Sequence, residues 1–225
     1  LSFLLARIFY EKRNFLKYID SFIVLSNFSK LKFIEFGLEE RRLHLKGNFL
    51  EIENKENRLE QDYALFIGRI VDYKWIETLT KAFKLNPLLK LKIIGEGPLK
   101  KDMRGFTVLL DNIQWLGKLE KDDVFEAIKN SSFLIFPSEC YENMPLAILE
   151  SFAFSKPVIA SNLGAIKELV IDGVNGMLFQ AGDASDLSAK AAYLFSHNQE
   201  RIAMGKNANR IYRERFNKEK NYQDL

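Results

Sequence analysis

The chain has 225 residues, 47% of them hydrophobic and 28% charged, which is ordinary globular usage and argues against wholesale disorder. Its 33 Lys and Arg against 30 Asp and Glu leave a net charge of +3, too balanced for a protein that neutralises many nucleic-acid phosphates. One cysteine excludes an intramolecular disulfide framework, and two histidines far apart in the sequence leave little material for a metal centre.

The first fifty residues predict an incomplete α/β unit. Helical spacing over 4–19 is followed by a short extended run, Phe22–Leu25, by a helix over Ser29–Phe36 and by a second extended run, Leu43–Leu50. One and a half βα units cannot make a sheet covered on both faces. We therefore expect residues 1–50 to be the tail of an incomplete N-terminal domain; the alternative is that they add edge elements to the main sheet.

The polar residues 51–62 predict a linker, and residues 63–195 predict one α/β domain. Within that domain short apolar runs alternate with helical patterns, and such alternation indicates a Rossmann-like, doubly wound parallel sheet. The six predicted strands are Ala64–Gly68, Leu91–Gly95, Ile113–Gly117, Phe133–Phe136, Pro157–Ala160 and Met177–Phe179.

The last part of the chain predicts two helical regions. Asp183 is placed to cap a helix that carries a second acid, Asp186, in its first turn. Beyond it, Gln199–Asn221 is amphipathic and basic, a pattern shared by helices that lie on membranes and by helices packed on a protein body. Acidic residues interrupt the basic face, so we expect residues 196–225 to pack back on the body.

Two glutamates stand out near a predicted buried helix. Glu150 lies among apolar residues, and Pro145 suits the first position of that helix. Glu142 lies in the loop after a parallel strand, on the edge where open α/β sheets bind ligands. A buried carboxylate needs donors, which a ligand's hydroxyl groups or a backbone amide could supply. The residues alone leave both sources open.

Two cations follow the first strand of the main domain. Arg69 and Lys74 come after Gly68, and cations at the carboxyl end of a strand suit a phosphate ligand. The alternative is an ordinary solvated loop. The glycine turn Gly95–Gly97 permits close backbone approach or serves only as a tight turn. The sequence has neither a G-x-G-x-x-G fingerprint nor a Walker lysine loop.

Taken together, these blocks resemble a known enzyme family. Glu142–Glu150 has the E-x7-E spacing of retaining glycosyltransferases of the GT-B fold, in particular glycosyltransferase family 4 (group 1). Ser21–Ser26 and Lys46–Asn48 are similar to the last elements of that family's N-terminal domain. The other matching blocks follow in the family's order: Gly68–Lys74, Ile94–Leu99, Asn112–Gly117, Lys156–Ser161, Gly164, Glu168–Val170 and Asp172–Gly176.

The resemblance implies a transferase that moves a sugar from a UDP- or GDP-sugar to a glycan or lipid-linked acceptor, with retention at the anomeric carbon. It assigns Arg69 and Lys74 to the donor diphosphate, Glu142 to the transferred sugar and Glu150 to the ribose hydroxyls. It places Gly68, Asn143, Met144, Pro145 and Leu146 at the donor as well. It implies no metal ion and no cofactor, because two fixed cations stand at the developing phosphate charge.

Two residues depart from the family's usual pattern, and most of its N-terminal domain is absent from the sequence. Trp75 stands where the family usually has glycine, and Asn143–Met144 replaces the commoner Gly-Phe-Gly. We therefore expect this chain to supply the donor-binding half, with transfer requiring the missing domain in cis or in trans. The alternative is a non-catalytic nucleotide-sugar-binding or interaction module.

No apolar run reaches the roughly 18 residues that a membrane span needs, and no targeting pattern stands at the start of the chain. We therefore expect a cytoplasmic protein. The family's lipid-linked acceptors and the basic final helix leave open a peripheral association with the inner face of the membrane.

Overall fold

The computed structural model describes residues 16, 18–52, 61–71, 75–98, 107 and 110–223. Most of the predicted helix over 4–19, most of the linker and Lys74 lie outside these residues. The strands are β1 (Phe22–Val24), β2 (Leu43–Leu45), β3 (Ala64–Ile67), β4 (Leu91–Ile94), β5 (Ile113–Gly117), β6 (Phe133–Phe136), β7 (Val158–Ser161) and β8 (Gly176–Phe179). The helices are α1 (Asn27–Glu35), α2 (Trp75–Leu85), α3 (Lys121–Asn130), α4 (Leu146–Ala153), α5 (Ile166–Leu169), α6 (Ala184–Ser196), α7 (Asn198–Arg215) and α8 (Lys218–Gln223), with a 3-10 turn at Glu40–Arg42.

Six strands form one parallel sheet in the order β5-β4-β3-β6-β7-β8. The chain builds outwards from β3 to β5, then returns to the other side of β3 and builds outwards again from β6 to β8. The predicted doubly wound α/β fold is thereby confirmed, with all six predicted strands present. In such a sheet the loops after the two central strands, here β3 and β6, diverge and leave a crevice between them.

The sheet is covered by an apolar layer on each face, because successive side chains of a strand point to opposite sides. Ala64 and Phe66 join one buried cluster with Leu79 of α2 and Leu187 of α6. Leu65, which lies between these two residues in the sequence, belongs to the cluster on the other face of the sheet, which contains residues of α3, α4 and α7. The strands therefore carry nearly continuous apolar runs, as expected when both faces of a sheet are buried.

The N-terminal residues form a second, smaller sheet. Strands β1 and β2 pair in parallel with each other and are not part of the six-stranded sheet. The alternative that this segment adds edge elements to the main sheet is therefore wrong. Among the described residues its buried core consists of Val24, Leu38 and Leu43, and a two-stranded sheet with so small a core is not stable by itself.

The basic stretch predicted over Gln199–Asn221 is two helices, α7 and α8, which break at Phe216. The side chains of Ala208, Ile211, Tyr212 and Phe216 are buried against the cluster that contains α4. The break keeps the aromatic ring of Phe216, only 4% exposed, on the body. The apolar face of this stretch thus packs on protein.

Helix α6 begins where the sequence predicted. The carboxylate of Asp183 accepts hydrogen bonds from the backbone N–H groups of Ser185 (2.9 Å) and Asp186 (3.0 Å). The Asp186 carboxylate turns back and accepts from the N–H of Gln180 at 2.8 Å. The predicted cap is therefore confirmed, and it fixes the chain's exit from β8.

A glycine lets α7 lie close to the turn after α4. A Cβ atom on Gly205 would lie 2.1 Å from the carbonyl oxygen of Ser155, which is far too short for any contact. Helix α7 also holds the end of α4 through Asn209, whose side-chain amide donates to the carbonyl of Ala153 at 2.7 Å.

We expect Gly205→Ala to lower the free energy of unfolding by about 1–3 kcal/mol, the usual range for forcing an extra methyl group into a packed site. An alanine in a helix without this contact would instead gain about 1 kcal/mol over glycine. Urea denaturation measures the difference, with Lys206→Ala, at the exposed next position, as the control. A more stable Gly205→Ala variant would contradict the close packing.

Candidate donor-binding site

A cavity of about 320 Å³ opens at the carboxyl ends of β3 and β6, the two strands between which the sheet order reverses. Its walls include five of the residues that the sequence singled out: Gly68, Arg69, Glu142, Pro145 and Leu146. The first two come from the loop after β3 and the others from the loop after β6 and the start of α4. Open α/β sheets usually bind their ligands at this position.

The loop that carries Arg69 is fixed by the glycine turn after β4. The N–H of Gly68 donates to the carbonyl of Ile94 at 3.1 Å, and the N–H of Ile70 donates to that of Glu96 at 2.9 Å. A Cβ on Gly97 would lie 1.8 Å from the carbonyl oxygen of Ile70. The glycine turn thus approaches the backbone of the neighbouring loop, and it holds the exposed Arg69 at the cavity wall.

Glu142 is held by a serine that the sequence analysis did not single out. Ser138, 4% exposed, donates its hydroxyl to Oε1 of Glu142 at 3.2 Å, and Sγ of Cys140 lies 3.8 Å from the same oxygen. Both Ser138 and Cys140 line the cavity. A polar residue two positions after an apolar strand was the only signal for Ser138.

Helix α4 begins one residue later than predicted. Pro145 has an extended backbone (φ −69°, ψ 122°) and is the N-cap, so the prediction that it occupies the first helical position is wrong; Leu146 does. The fixed φ of proline suits the cap equally well because only ψ distinguishes the two positions here. The first N–H groups of a helix have no intrahelical acceptor, and Leu146 and Ala147 bring theirs to the cavity wall.

Glu150 lies one turn further along α4 and is not among the residues that line this cavity. It is partly buried, and burial raises the pKa of its carboxyl, an effect that the positive charge of Lys121 partly opposes. The resemblance assigns Arg69, Lys74, Glu142 and Glu150 to one donor, so their side chains are expected around one cavity. The cavity brings together Arg69 and Glu142 but not Glu150, and Lys74 lies outside the described residues.

Asn143 and Met144 face a second cavity, of about 190 Å³, between the N-terminal segment and the main domain. Oδ1 of Asn143 accepts from the hydroxyl of Ser29 at 3.0 Å. The carbonyl of Met144 accepts from the side-chain amide of Asn48 at 3.1 Å. These two predicted donor-binding residues thus contact the other segment of the chain.

Glu168 joins the same two parts of the molecule. Its carboxylate accepts from the backbone N–H groups of Asn27 (2.9 Å) and Phe28 (2.5 Å), at the start of α1. The positive end of a helix favours such a negative charge. Phe28 also packs against Tyr141, with ring centroids 4.8 Å apart, and Gly164 leaves the space for both rings.

Within the described ranges no group of three or more His, Cys, Asp and Glu side chains is arranged to hold a metal ion. In the same ranges no helix combines the length and the apolar character needed to cross a bilayer.

The sequence matches the family model described as glycosyl transferases group 1 over residues 48–211, well over half of the chain. It is 35% identical over 184 residues to an uncharacterized glycosyltransferase of Methanocaldococcus jannaschii, which covers 78% of this chain and 51% of that protein. It is 26% identical over 191 residues to the D-rhamnosyltransferase WbpZ of Pseudomonas aeruginosa, covering 83% of this chain and 50% of that one. The chain thus spans about half the length of these curated relatives.

The fold is similar to that of Anabaena HepE, solved in complex with UDP and glucose, with a TM-score of 0.81 at 20% identity. The likeness covers 91% of this chain and 61% of HepE. At this identity it bears on the fold alone, and it agrees with the predicted GT-B architecture.

We expect Glu150→Gln to raise the melting temperature of the unliganded chain by a few degrees at pH 7. Because burial raises its pKa, Glu150 holds a proton more tightly in the folded chain than in the unfolded one, so its ionisation lowers stability as the pH rises above about 4. Glutamine carries no charge and avoids this cost. Calorimetry between pH 4 and pH 8 measures the effect, which shrinks towards pH 4; the exposed Glu214→Gln is the control.

A melting temperature of Glu150→Gln equal to or below that of the wild type at pH 7 would contradict the destabilising role of the buried charge.

Proposed function

The chain belongs to the glycosyl transferases group 1 family, and from that premise we propose that it is the donor-binding half of a retaining, family 4 glycosyltransferase. The donor would be a nucleotide-diphosphate sugar, either a UDP-sugar or a GDP-sugar. The acceptor would be a hydroxyl group of a glycan or a lipid-linked saccharide.

The proposed reaction breaks the bond between the anomeric carbon and the diphosphate oxygen, and it forms a bond from that carbon to the acceptor oxygen. The nucleoside diphosphate leaves with the bonding electrons, and the acceptor hydroxyl loses its proton. Negative charge therefore grows on the diphosphate as the bond breaks. Fixed positive groups that face this charge lower the barrier more than mobile water does.

One observation carries the proposal: the cavity at the reversal of the strand order has a guanidinium group on one wall and a carboxylate on the other. Arg69 offers paired donors that fit a diphosphate, and Lys74, which follows it closely in the sequence, would add a second cation. Glu142, steadied by Ser138, would face the transferred sugar. The free N–H groups of Leu146 and Ala147 would bind donor oxygens.

Glu150 is proposed to bind the ribose hydroxyl groups. Burial raises the pKa of its carboxyl, so hydrogen-bond donors from a ligand would stabilise the charged form. A ribose has two adjacent hydroxyl groups that can supply such donors. The donor would then extend from the cavity along α4 by about one helical turn, the distance that separates Leu146 from Glu150.

The reaction itself would require more of the molecule than this chain supplies. The two curated relatives described above are about twice as long as the regions that align with this chain. Acceptor recognition is therefore assigned to a preceding domain, in cis or in trans. We further propose that the reaction needs no metal ion or cofactor, and that the chain acts in the cytoplasm or at the inner face of the membrane.

We expect UDP or GDP, or one of their sugars, to raise the melting temperature of the chain in a concentration-dependent way, since a ligand that binds only the folded state stabilises it. Arg69→Ala and Lys74→Ala should each weaken binding of the nucleoside diphosphate by about tenfold or more while leaving the weaker binding of the nucleoside nearly unchanged. Thermal shift followed by titration calorimetry measures both quantities.

Arg210→Ala, which removes an exposed arginine from α7, is the matched control and should bind the diphosphate as the wild type does. Equal losses for nucleoside and diphosphate would contradict the phosphate role. If no nucleotide of the panel shifts the melting temperature of the wild type, the non-catalytic interaction module is the better description.

A further inference from the structure

The loop 142–145 lies between the candidate donor cavity and the second cavity, and its residues line both of them. Glu142 and Pro145 line the donor cavity, whereas Asn143 and Met144, which lie between them in sequence, line the cavity towards the N-terminal segment. The same short loop thus presents the carboxylate and leads into α4. Its conformation decides where Glu142 and the first N–H groups of the helix point.

A chain of serine hydroxyl groups holds the Asn143 side of the loop. Ser26 donates to Oγ of Ser29 at 2.9 Å, and Ser29 donates to Oδ1 of Asn143 at 3.0 Å. The two serines are only 3% and 7% exposed. Since water hardly reaches them, the hydroxyl of Ser29 has few other acceptors, and successive hydrogen bonds of this kind reinforce one another.

The Met144 side of the loop is held by the segment after β2. Besides the hydrogen bond to the carbonyl of Met144, the backbone N–H of Asn48 lies 2.9 Å from its sulfur atom. Gly47 makes this approach possible, because a Cβ at that position would lie 2.8 Å from the terminal methyl group of Met144. A side chain here would displace the end of the Met144 side chain from the N–H of Asn48.

The contacts made by Ser29 and by Asn48 both come from the same edge of the small sheet. Ser29 follows β1 and Asn48 follows β2, so they lie beyond the carboxyl ends of its parallel strands, facing the carboxyl end of β6. Ser29 also lies outside the residues that match the family model.

We propose that Ser29 and Asn48 are positioning residues for the donor site: they do not contact the donor but fix the loop 142–145 and, through it, Glu142 and the start of α4. The inference rests on the proposed function. The N-terminal segment then contributes to donor affinity as well as to the acceptor side.

The test is a double-mutant cycle on the full 225-residue chain, with the dissociation constants of UDP-glucose, UDP-N-acetylglucosamine and GDP-mannose as the readout. Ser29→Ala should weaken binding of the accepted donor roughly fivefold, the effect of one lost hydrogen bond of ordinary strength. In an Asn143→Ala background the same substitution should have no further effect, because Ser29 acts through Asn143. Asn48→Ala is the second variant and should also weaken binding, whether or not Ser29→Ala folds.

Ser188→Ala, an equally buried serine in α6, is the matched control and should bind as the wild type does. Hydrogen exchange of the unliganded chain supplies a readout that a general loss of stability would not reproduce. The amide of Ile148, which donates to the carbonyl of Pro145 at the start of α4, should exchange faster in Ser29→Ala, and the amides of β7 should not.

A wild type that binds a donor while Ser29→Ala and Asn48→Ala bind it equally well would overturn this inference alone. Additive losses in the Asn143→Ala background, or an unchanged exchange of the Ile148 amide, would also overturn it. A wild type that binds neither UDP nor GDP nor any of the three donors would instead overturn the proposed function, and the inference with it.

Discussion

The reversal of strand order between β3 and β6 is the constraint on which the rest of the molecule depends. Because parallel strands are joined by right-handed crossovers, a chain that builds first to one side and then to the other must carry its two central loops apart. The gap between them cannot be filled by either loop. Arg69 and Glu142 face this gap from its two sides, and each is steadied by its own neighbours, a glycine turn in one case and a buried serine in the other.

Much of the fold could be predicted from the sequence because the signals are local. Each strand of the six-stranded sheet except β8 is a short apolar run that ends at, or just before, a glycine, a proline or a serine. Only the ends differ from the prediction: Pro157 precedes β7, whose last residue is Ser161. The position of the candidate donor cavity followed from the same information, since the carboxyl ends of neighbouring strands meet on one edge of the sheet. Pro145 was misplaced by one residue because its fixed φ fits both the cap and the first helical position.

The contacts that hold the site together could not be predicted in the same way. Ser29 meets Asn143 across 114 residues, and Glu168 meets Phe28 across 140. Serines and glutamates in such places have many local alternatives, so their partners depend on the final packing of the N-terminal segment on the main domain. The sequence also left open whether the N-terminal strands join the main sheet or form a sheet of their own, because three residues per strand carry almost no pattern.

Under the proposed function, the partly buried carboxylate of Glu150 places the needs of folding and of ligand recognition in opposition. Burial raises the pKa of this carboxyl and so disfavours its charged form, a cost that the hydroxyl groups of the proposed donor would offset. Laboratory evolution that selected this chain for heat resistance alone would tend to neutralise that position early. If Glu150 binds the ribose as proposed, the most heat-resistant variants from such a selection would bind the donor more weakly.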